Sequence, residues 1–397
     1  MRLIDELAER RRFGIQPGLE SICAACHALG DPQKSFPAVH VAGTNGKGAV
    51  TAILDACLRR SGRKVGRYTS PHLVNVNERF FLDGLPVADD VLDRFAAEVC
   101  AALPPAGSEL TFFEFLTAVA FRLYAAEKVD VGVLECGLGG RLDATNVCEP
   151  RLCVITRIGL DHCAWLGDTV EKIAVEKAGI VKPGVPIVLG RNEEVVRRVI
   201  EARAHERGAP FHYAPDLVSE DAIPADFPLS GSFNRENAVT ALAALEILNV
   251  APQGFGEVVW PGRFQRIGRF VVDGAHNPPA ARALADSLVR ERLSGLDLIA
   301  GFCADKDAAA VLETLRPFVR RGYAVRTNNP RSLSAEETAG MMSAAGIAAQ
   351  PCETVRAALD ASTGATLVCG SLFLAGEALV ELDAYPWGRR RFDLEEG

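Results

Sequence analysis

The sequence predicts an α/β protein: a P-loop-type, mostly parallel sheet domain followed by a smaller Rossmann-like α/β unit. Three observations predict it. Apolar runs of strand length alternate with helical patterns along most of the chain. A glycine-rich turn, Gly43 to Gly48, joins a strand ending at Val39 and Val41 to a helix marked by Ile53, Leu54, Cys57 and Leu58. The alternation breaks once, where Pro252, Gly254, Gly256, Pro261 and Gly262 crowd together as a hinge, and then resumes. The expected domains are therefore residues 1–262 and 263–397.

A chain of 397 residues, 48% of them hydrophobic, is long enough for two cores. The net charge of −8, with no basic run longer than Arg389–Arg391, argues against a nucleic-acid partner. Met1 to Arg12 is charged and helix-like, with no apolar leader, and no run of about 18 apolar residues occurs, so a cytosolic protein without a membrane partner is expected. The eleven cysteines then read as reduced thiols packed as small apolar groups. Cys23-Ala24-Ala25-Cys26-His27 has the haem-attachment spacing, but haem attachment needs export, and no second cysteine pair follows to make a zinc site.

In chain order, a Gly/Pro-rich loop over residues 13–20 leads into an alanine- and cysteine-rich helix. After the glycine turn and its helix, Lys64–Tyr68 reads as a strand breaking at Thr69-Ser70-Pro71-His72, and residues 76–82 as another. Helices are expected over Asp89–Ala102 and Thr111–Lys128. Val129–Glu135 is a buried parallel strand ending in a carboxylate, followed by Gly137, Gly139 and Gly140. Val154, Ile155 and Ile158 mark the next strand, which runs into Asp161-His162. Strand and helix patterns continue at Pro186–Leu189, Glu193–Arg207 and Glu236–Leu248. Beyond the hinge, Phe270–Asp273, Leu296–Phe302, Tyr323–Thr327 and Thr366–Cys369 are expected strands.

Ligands of open α/β sheets gather outside the carboxyl ends of strands, where the glycine turn, Ser70, Glu135 and His162 all fall. The turn aims backbone N–H groups and a helix N-terminus at an anion, and Lys47 adds a point charge. It departs from the strict phosphate-loop pattern, since Val41 holds the first glycine position and Gly48 follows the lysine, so a metal-binding hydroxyl must come from elsewhere. Ser70, Glu135 and His162 supply a hydroxyl, a carboxylate and an imidazole compatible with Mg²⁺ carried on a nucleotide, although each alone is also ordinary capping or core chemistry. A Ser-His-acid hydrolase is disfavoured because no G-x-S-x-G elbow surrounds Ser70. In the second unit, Asp273-Gly274-Ala275-His276-Asn277-Pro278 sits at a strand end and opens a helix, and Arg263 lies at the hinge, either a surface charge or a phosphate clamp.

Six motifs in order resemble the folylpolyglutamate synthase and dihydrofolate synthase family, within the wider group of ATP-dependent Mur-type amide ligases. They are Gly43–Gly48, Tyr68–Leu73, Leu134–Asn146, Asp161-His162, Glu176–Ile180 and Asp273–Pro278, and the match runs from about residue 13 to residue 380. The resemblance implies ATP and two Mg²⁺ sites. Thr44, Asn45, Gly46, Lys47 and Gly48 would hold phosphates. Ser70, Glu135 and His162 would bind metal, with Lys177, carbamylated, serving the second ion. Asn237, Arg263 and Asp273 would contact the nucleotide, and Lys47, Lys177 and His276 would act in catalysis. The pterin side would be Ile15, Gln16 and Pro17, Thr111, Phe112, Phe113 and Glu114, and Leu142, Asp143 and Ala144. Ala49 stands where serine or threonine is usual, Phe233-Asn234 replaces His-Gln, and Gln16-Pro17 replaces the commoner Asp-Leu.

The implied reaction joins L-glutamate to dihydropteroate and to folates through an acyl phosphate, catalysed by a monomer. Arg141-Leu142-Asp143-Ala144 resembles the form found in members that add the first glutamate, which favours both activities. Three alternatives are an extension-only folylpolyglutamate synthase, a cell-wall ligase acting on UDP-sugar peptides and a nucleotide-driven switch or ATPase. The cell-wall reading would need a further domain ahead of the phosphate turn, where about forty residues stand.

Overall fold

The computed structural model describes residues 2–10, 14, 16–103 and 110–388. Two sheets organise them. The first contains β1 (Ala38–Ala42), β2 (Val65–Tyr68), β3 (Phe80–Leu82), β4 (Leu85–Pro86), β5 (Val131–Glu135), β6 (Pro150–Ile155), β7 (Ile187–Leu189) and β8 (Phe211–Tyr213) in the order β4-β3-β2-β5-β1-β6-β7-β8. All neighbours pair in parallel except β2 with β3 and β3 with β4. The second contains β9 (Gln265–Ile267), β10 (Phe270–Val272), β11 (Leu296–Ala300), β12 (Val319–Ala324), β13 (Ala349–Pro351) and β14 (Thr366–Cys369) in the order β13-β12-β11-β14-β10-β9, with only β9 antiparallel. The chain is thus a large N-terminal and a smaller C-terminal α/β unit.

Strand β1 lies between β5 and β6 and every residue in it is buried, which is why the sequence there is a continuous apolar run. The exception, His40, is fully buried, with its Nε2 paired to the Thr145 hydroxyl at 2.8 Å and its Nδ1 without a partner among the described residues. The helix Lys47–Arg60 after the turn packs its Val50, Ile53, Leu54 and Leu58 with β1, β5 and β6 in one apolar cluster. A second helix, Ser232–Ile247, packs beside it.

Several expected boundaries move. Residues 76–82 are not one strand: Val76–Arg79 is a 3₁₀ turn, closed by a capping box between Asn75 and Glu78, and only Phe80–Leu82 is extended. Ile158 lies in the loop after β6, and the strand expected at Tyr323–Thr327 is β12, four residues earlier. The helix expected from Glu236 begins at Ser232. The three-residue strands β8, β9 and β13 are too short to show a period and carry no legible sequence signal.

The joint between the units involves the loop after Ser70. Leu73 and Val74 belong to the apolar cluster of the second sheet, with Val272, Leu374 and Ala375. Buried Glu78 gathers that loop, accepting from the N–H groups of Leu73, Val74 and Asn75 at 2.8, 2.7 and 2.7 Å and from the Tyr385 hydroxyl at 2.6 Å. All eleven cysteines are free thiols, and Cys26, Cys57, Cys136, Cys148, Cys153, Cys303 and Cys369 are buried. No helix of the described residues is long and apolar enough to cross a membrane.

Candidate active site

The phosphate turn is built by close packing. Gly46, with φ of 91°, caps the helix Lys47–Arg60, and a Cβ there would lie 2.1 Å from Asn237 Oδ1, so Asn237 sits directly on the turn. At Gly48 a Cβ would meet the Trp260 ring at 2.0 Å, which explains why this loop carries no hydroxyl after its lysine. The Thr44 and Asn45 N–H groups bond to Arg157 O at 2.9 and 3.2 Å, and Thr44 Oγ1 bonds both the N–H and the carbonyl of Gly159. The turn is therefore fastened to the 157–162 loop that carries His162.

Glu135, at the end of β5, is 3% exposed. Its Oε2 accepts from the Ser70 N–H at 3.2 Å, and Lys47 Nζ stands 3.9 Å from Oε1, too far for a full hydrogen bond. Burial pushes the Glu135 carboxyl up to about 7, against the pull of Lys47 and the Ser70 N–H. A carboxylate held this way fits a hard cation, which would restore its charge. Among the described residues no three His, Cys, Asp or Glu side chains converge on a metal position. A cation here would rest on Glu135, the Ser70 hydroxyl and His162, with phosphate oxygens completing its shell.

Lys177 is buried beneath the turn, its Nζ donating to Gly43 O at 2.7 Å. Burial, then Lys47, pull its ammonium down to about 7, so much of it is neutral amine near physiological pH. His276 donates Nδ1–H to Gly274 O at 2.8 Å, and burial lowers it to about 4, leaving neutral Nε2 as an acceptor. His162, with φ of 50°, is also lowered by burial, against the pull of Asp161.

One cavity of about 620 Å³ joins the two units. Gln16, Pro17, Thr111, Phe112, Phe113, Glu114, Leu142, Asp143 and Ala144 line it on one side, with Ser70, His162 and His276. Ile15 lies outside the described residues. The structure thus brings nine of the ten expected pterin residues to the same space as Ser70, His162 and His276, while Lys47, Glu135 and Lys177 do not line that cavity.

Three expected roles change. Asp143 faces inward: Oδ1 accepts from Thr145 N at 3.0 Å and from the Thr145 hydroxyl, and Oδ2 from Leu138 N at 2.8 Å. It shapes the loop 137–147 rather than presenting a free carboxylate. Glu114 likewise closes a capping box with Thr111 at the start of the helix Phe112–Ala126. Asp273, expected on the nucleotide, bonds Phe264 N and Ala275 N at 2.8 Å each and so holds its own turn, with burial raising it to about 6 despite Arg263. Phe233 packs with the second unit's core, and Asn234 donates to Ser230 O and Arg263 O at 2.7 and 3.3 Å, fixing the backbone at Arg263.

Sequence reasoning missed the cavity wall from the second unit: Lys306, Arg331, Ser371 and Trp165 opposite them. Ser371 stands two residues past the end of β14, so the strand-end rule that selected Ser70 and Glu135 would have found it. Arg331 lies in a loop with no sequence signal.

Residues 262–372 match the model of the Mur ligase, glutamate ligase domain. The chain is 34% identical over 394 residues to the Escherichia coli dihydrofolate synthase/folylpolyglutamate synthase, covering 93% of this chain and 92% of that one. The chain belongs to the dihydrofolate synthase/folylpolyglutamate synthase family. As a family member it is an ATP-dependent ligase of the Mur superfamily. The solved E. coli FolC in complex with DHPP and ADP superposes with a TM-score of 0.87 at 32% identity, covering 97% of this chain and 98% of that one. A bifunctional folylpolyglutamate synthase/dihydrofolate synthase with Mn, AMPPNP and L-glutamate bound superposes with a TM-score of 0.83 at 31% identity, covering 96% and 98%.

Proposed function

We propose that this ligase joins L-glutamate to dihydropteroate and to reduced folates, with ATP and a divalent cation, Mg²⁺ in the cell. The observation that carries the reading is the single cavity: its folate-side wall ends at Ser70, His162 and His276, beside the Lys47 turn. A pteroate seated on Phe112 and Phe113 would point its carboxylate toward that end. The flat ring suits these aromatic walls.

The metal, when bound, neutralises charge on the transferring phosphoryl group. Ser70, Glu135 and His162 would hold it. Lys47 and the N–H groups at the start of its helix orient the γ-phosphoryl as the substrate carboxylate oxygen attacks it, forming the acyl phosphate and releasing ADP. The glutamate amine then attacks the acyl carbon and inorganic phosphate leaves. Lys306 and Arg331, on the opposite wall, are the cations available for the glutamate carboxylates, and His276, its Nδ1 fixed on Gly274 O, offers neutral Nε2 as a hydrogen-bond acceptor for the amine. Closure of the two units around the cavity keeps water from the acyl phosphate.

The neutral amine of Lys177 supports carbamylation: Nζ bonds to the carbon of CO₂ and loses one proton, becoming an anionic oxygen ligand. Intact-mass measurement under CO₂ should show one CO₂ increment that Lys177→Arg lacks. An active enzyme with no increment would reject it. For the reaction, phosphate release should require Mg-ATP, dihydropteroate and glutamate together. Release without the pteroate would favour an ATPase, and extension of tetrahydrofolate with dihydropteroate untouched would reject the dual activity.

A further inference from the structure

Asp161 precedes His162 in the loop after β6, and its two carboxylate oxygens face in different directions. Oδ1 accepts from the His162 backbone N–H at 3.0 Å, which holds His162 in its left-handed conformation. Oδ2 accepts from Asn277 Nδ2 at 2.8 Å, across 116 residues and from the other unit. Lys306 Nζ, also from that unit, stands 3.9 Å from Oδ1. Asn277 has no freedom to swing away: its Oδ1 accepts from Ala280 N at 2.9 Å as the cap of the helix Pro278–Arg290. Two residues beyond Asn277, Pro279 packs at Gly159, where a Cβ would lie 3.1 Å from its ring. Gly159 in turn is bonded through both backbone groups to Thr44 of the phosphate turn.

The geometry points to Asp161 as a positioning residue: through it, docking of the helix Pro278–Arg290 sets the His162 imidazole for metal binding. The inference rests on His162 being a metal ligand. It makes metal affinity depend on a side chain in the unit that contributes no ligand. Groups that orient a metal-binding histidine commonly change affinity by about 10- to 100-fold when removed.

The test is Mn²⁺ binding, followed by electron paramagnetic resonance of free Mn²⁺, in the full-length protein with a non-hydrolysable ATP analogue. Asn277→Asp keeps the helix cap but sets one carboxylate against another, and should weaken Mn²⁺ about tenfold or more. Asp161→Asn sets amide N–H groups against each other and should act alike. The double variant restores one donor and one acceptor with the direction reversed, and should recover most of the affinity, which a general loss of stability would not do. Thermal melts of each variant check folding. His162→Ala is the control for the parent reading. If it leaves Mn²⁺ affinity unchanged, His162 is not a ligand and the metal assignment fails. If it weakens Mn²⁺ while Asn277→Asp does not, or if the double variant shows no recovery, the coupling through Asp161 is overturned.

Discussion

Glu135 and Asp143 stand at the two ends of one glycine-rich run, both buried, and they do opposite things. Asp143 has four lone-pair positions and gives three of them to the loop's own donors, so its negative charge is answered by Thr145 and Leu138. Glu135 has one weak backbone bond and a lysine at 3.9 Å, so its charge is left for something else to answer. Burial raises both carboxyls. The difference teaches that a buried acid is a site when its partners are missing, and a structural pin when they are present.

The comparison breaks most severely at Glu135 itself. Glu135→Gln should lower kcat by about 100-fold or more while the folded protein keeps its circular dichroism, because it removes charge from the metal position but no core volume. Near-normal turnover at ordinary Mg²⁺ would return Glu135 to the structural class.

Next in size is stability. Asp143→Ala leaves the N–H groups of Leu138 and Thr145 without acceptors, each worth about 1–3 kcal/mol when buried. Denaturant unfolding should show a loss of roughly 2 kcal/mol or more, and KM should rise for dihydropteroate and for reduced folates alike. A selective loss with dihydropteroate and unchanged stability would mean that Asp143 touches the pterin after all.

The pH dependence sharpens the contrast. Glu135 is raised from 4.5 to about 7, so between those values the folded protein binds a proton that the unfolded chain does not. Its contribution to stability is therefore most favourable below pH 4.5, falls as pH rises through this window and levels off above about 7. Relative to wild type, Glu135→Gln should gain stability as pH rises from 4.5 to 7, by an amount on the order of 3 kcal/mol. Melting curves of the two proteins across that range check it; parallel curves would show an unperturbed carboxyl.

The smallest effect concerns the turn. Gly48→Ala should weaken ATP binding several-fold, since the new methyl displaces Trp260 and tilts the helix start, and Trp260→Ala should relieve part of that loss. Nucleotide titration by calorimetry measures both.

The sequence by itself determined the layered α/β plan, the strand ends at Gly43, Ser70 and Glu135, and most of one wall of the cavity, whereas His162 stands in a loop seven residues beyond the end of β6. Strand ends are legible because buried parallel strands are continuous apolar runs whose first polar or glycine residue marks the exit. Tertiary structure alone decided the roles of the polar groups so located. Asp143, Glu114 and Asp273 look in sequence like free carboxylates at a site, yet each is answered by backbone N–H groups whose direction only the folded turn fixes. The opposite wall, with Lys306 and Arg331, was invisible for the same reason. Hydrophobic periodicity is a property of neighbours along the chain, whereas the pairing of a charge depends on what the fold brings within about 3 Å of it.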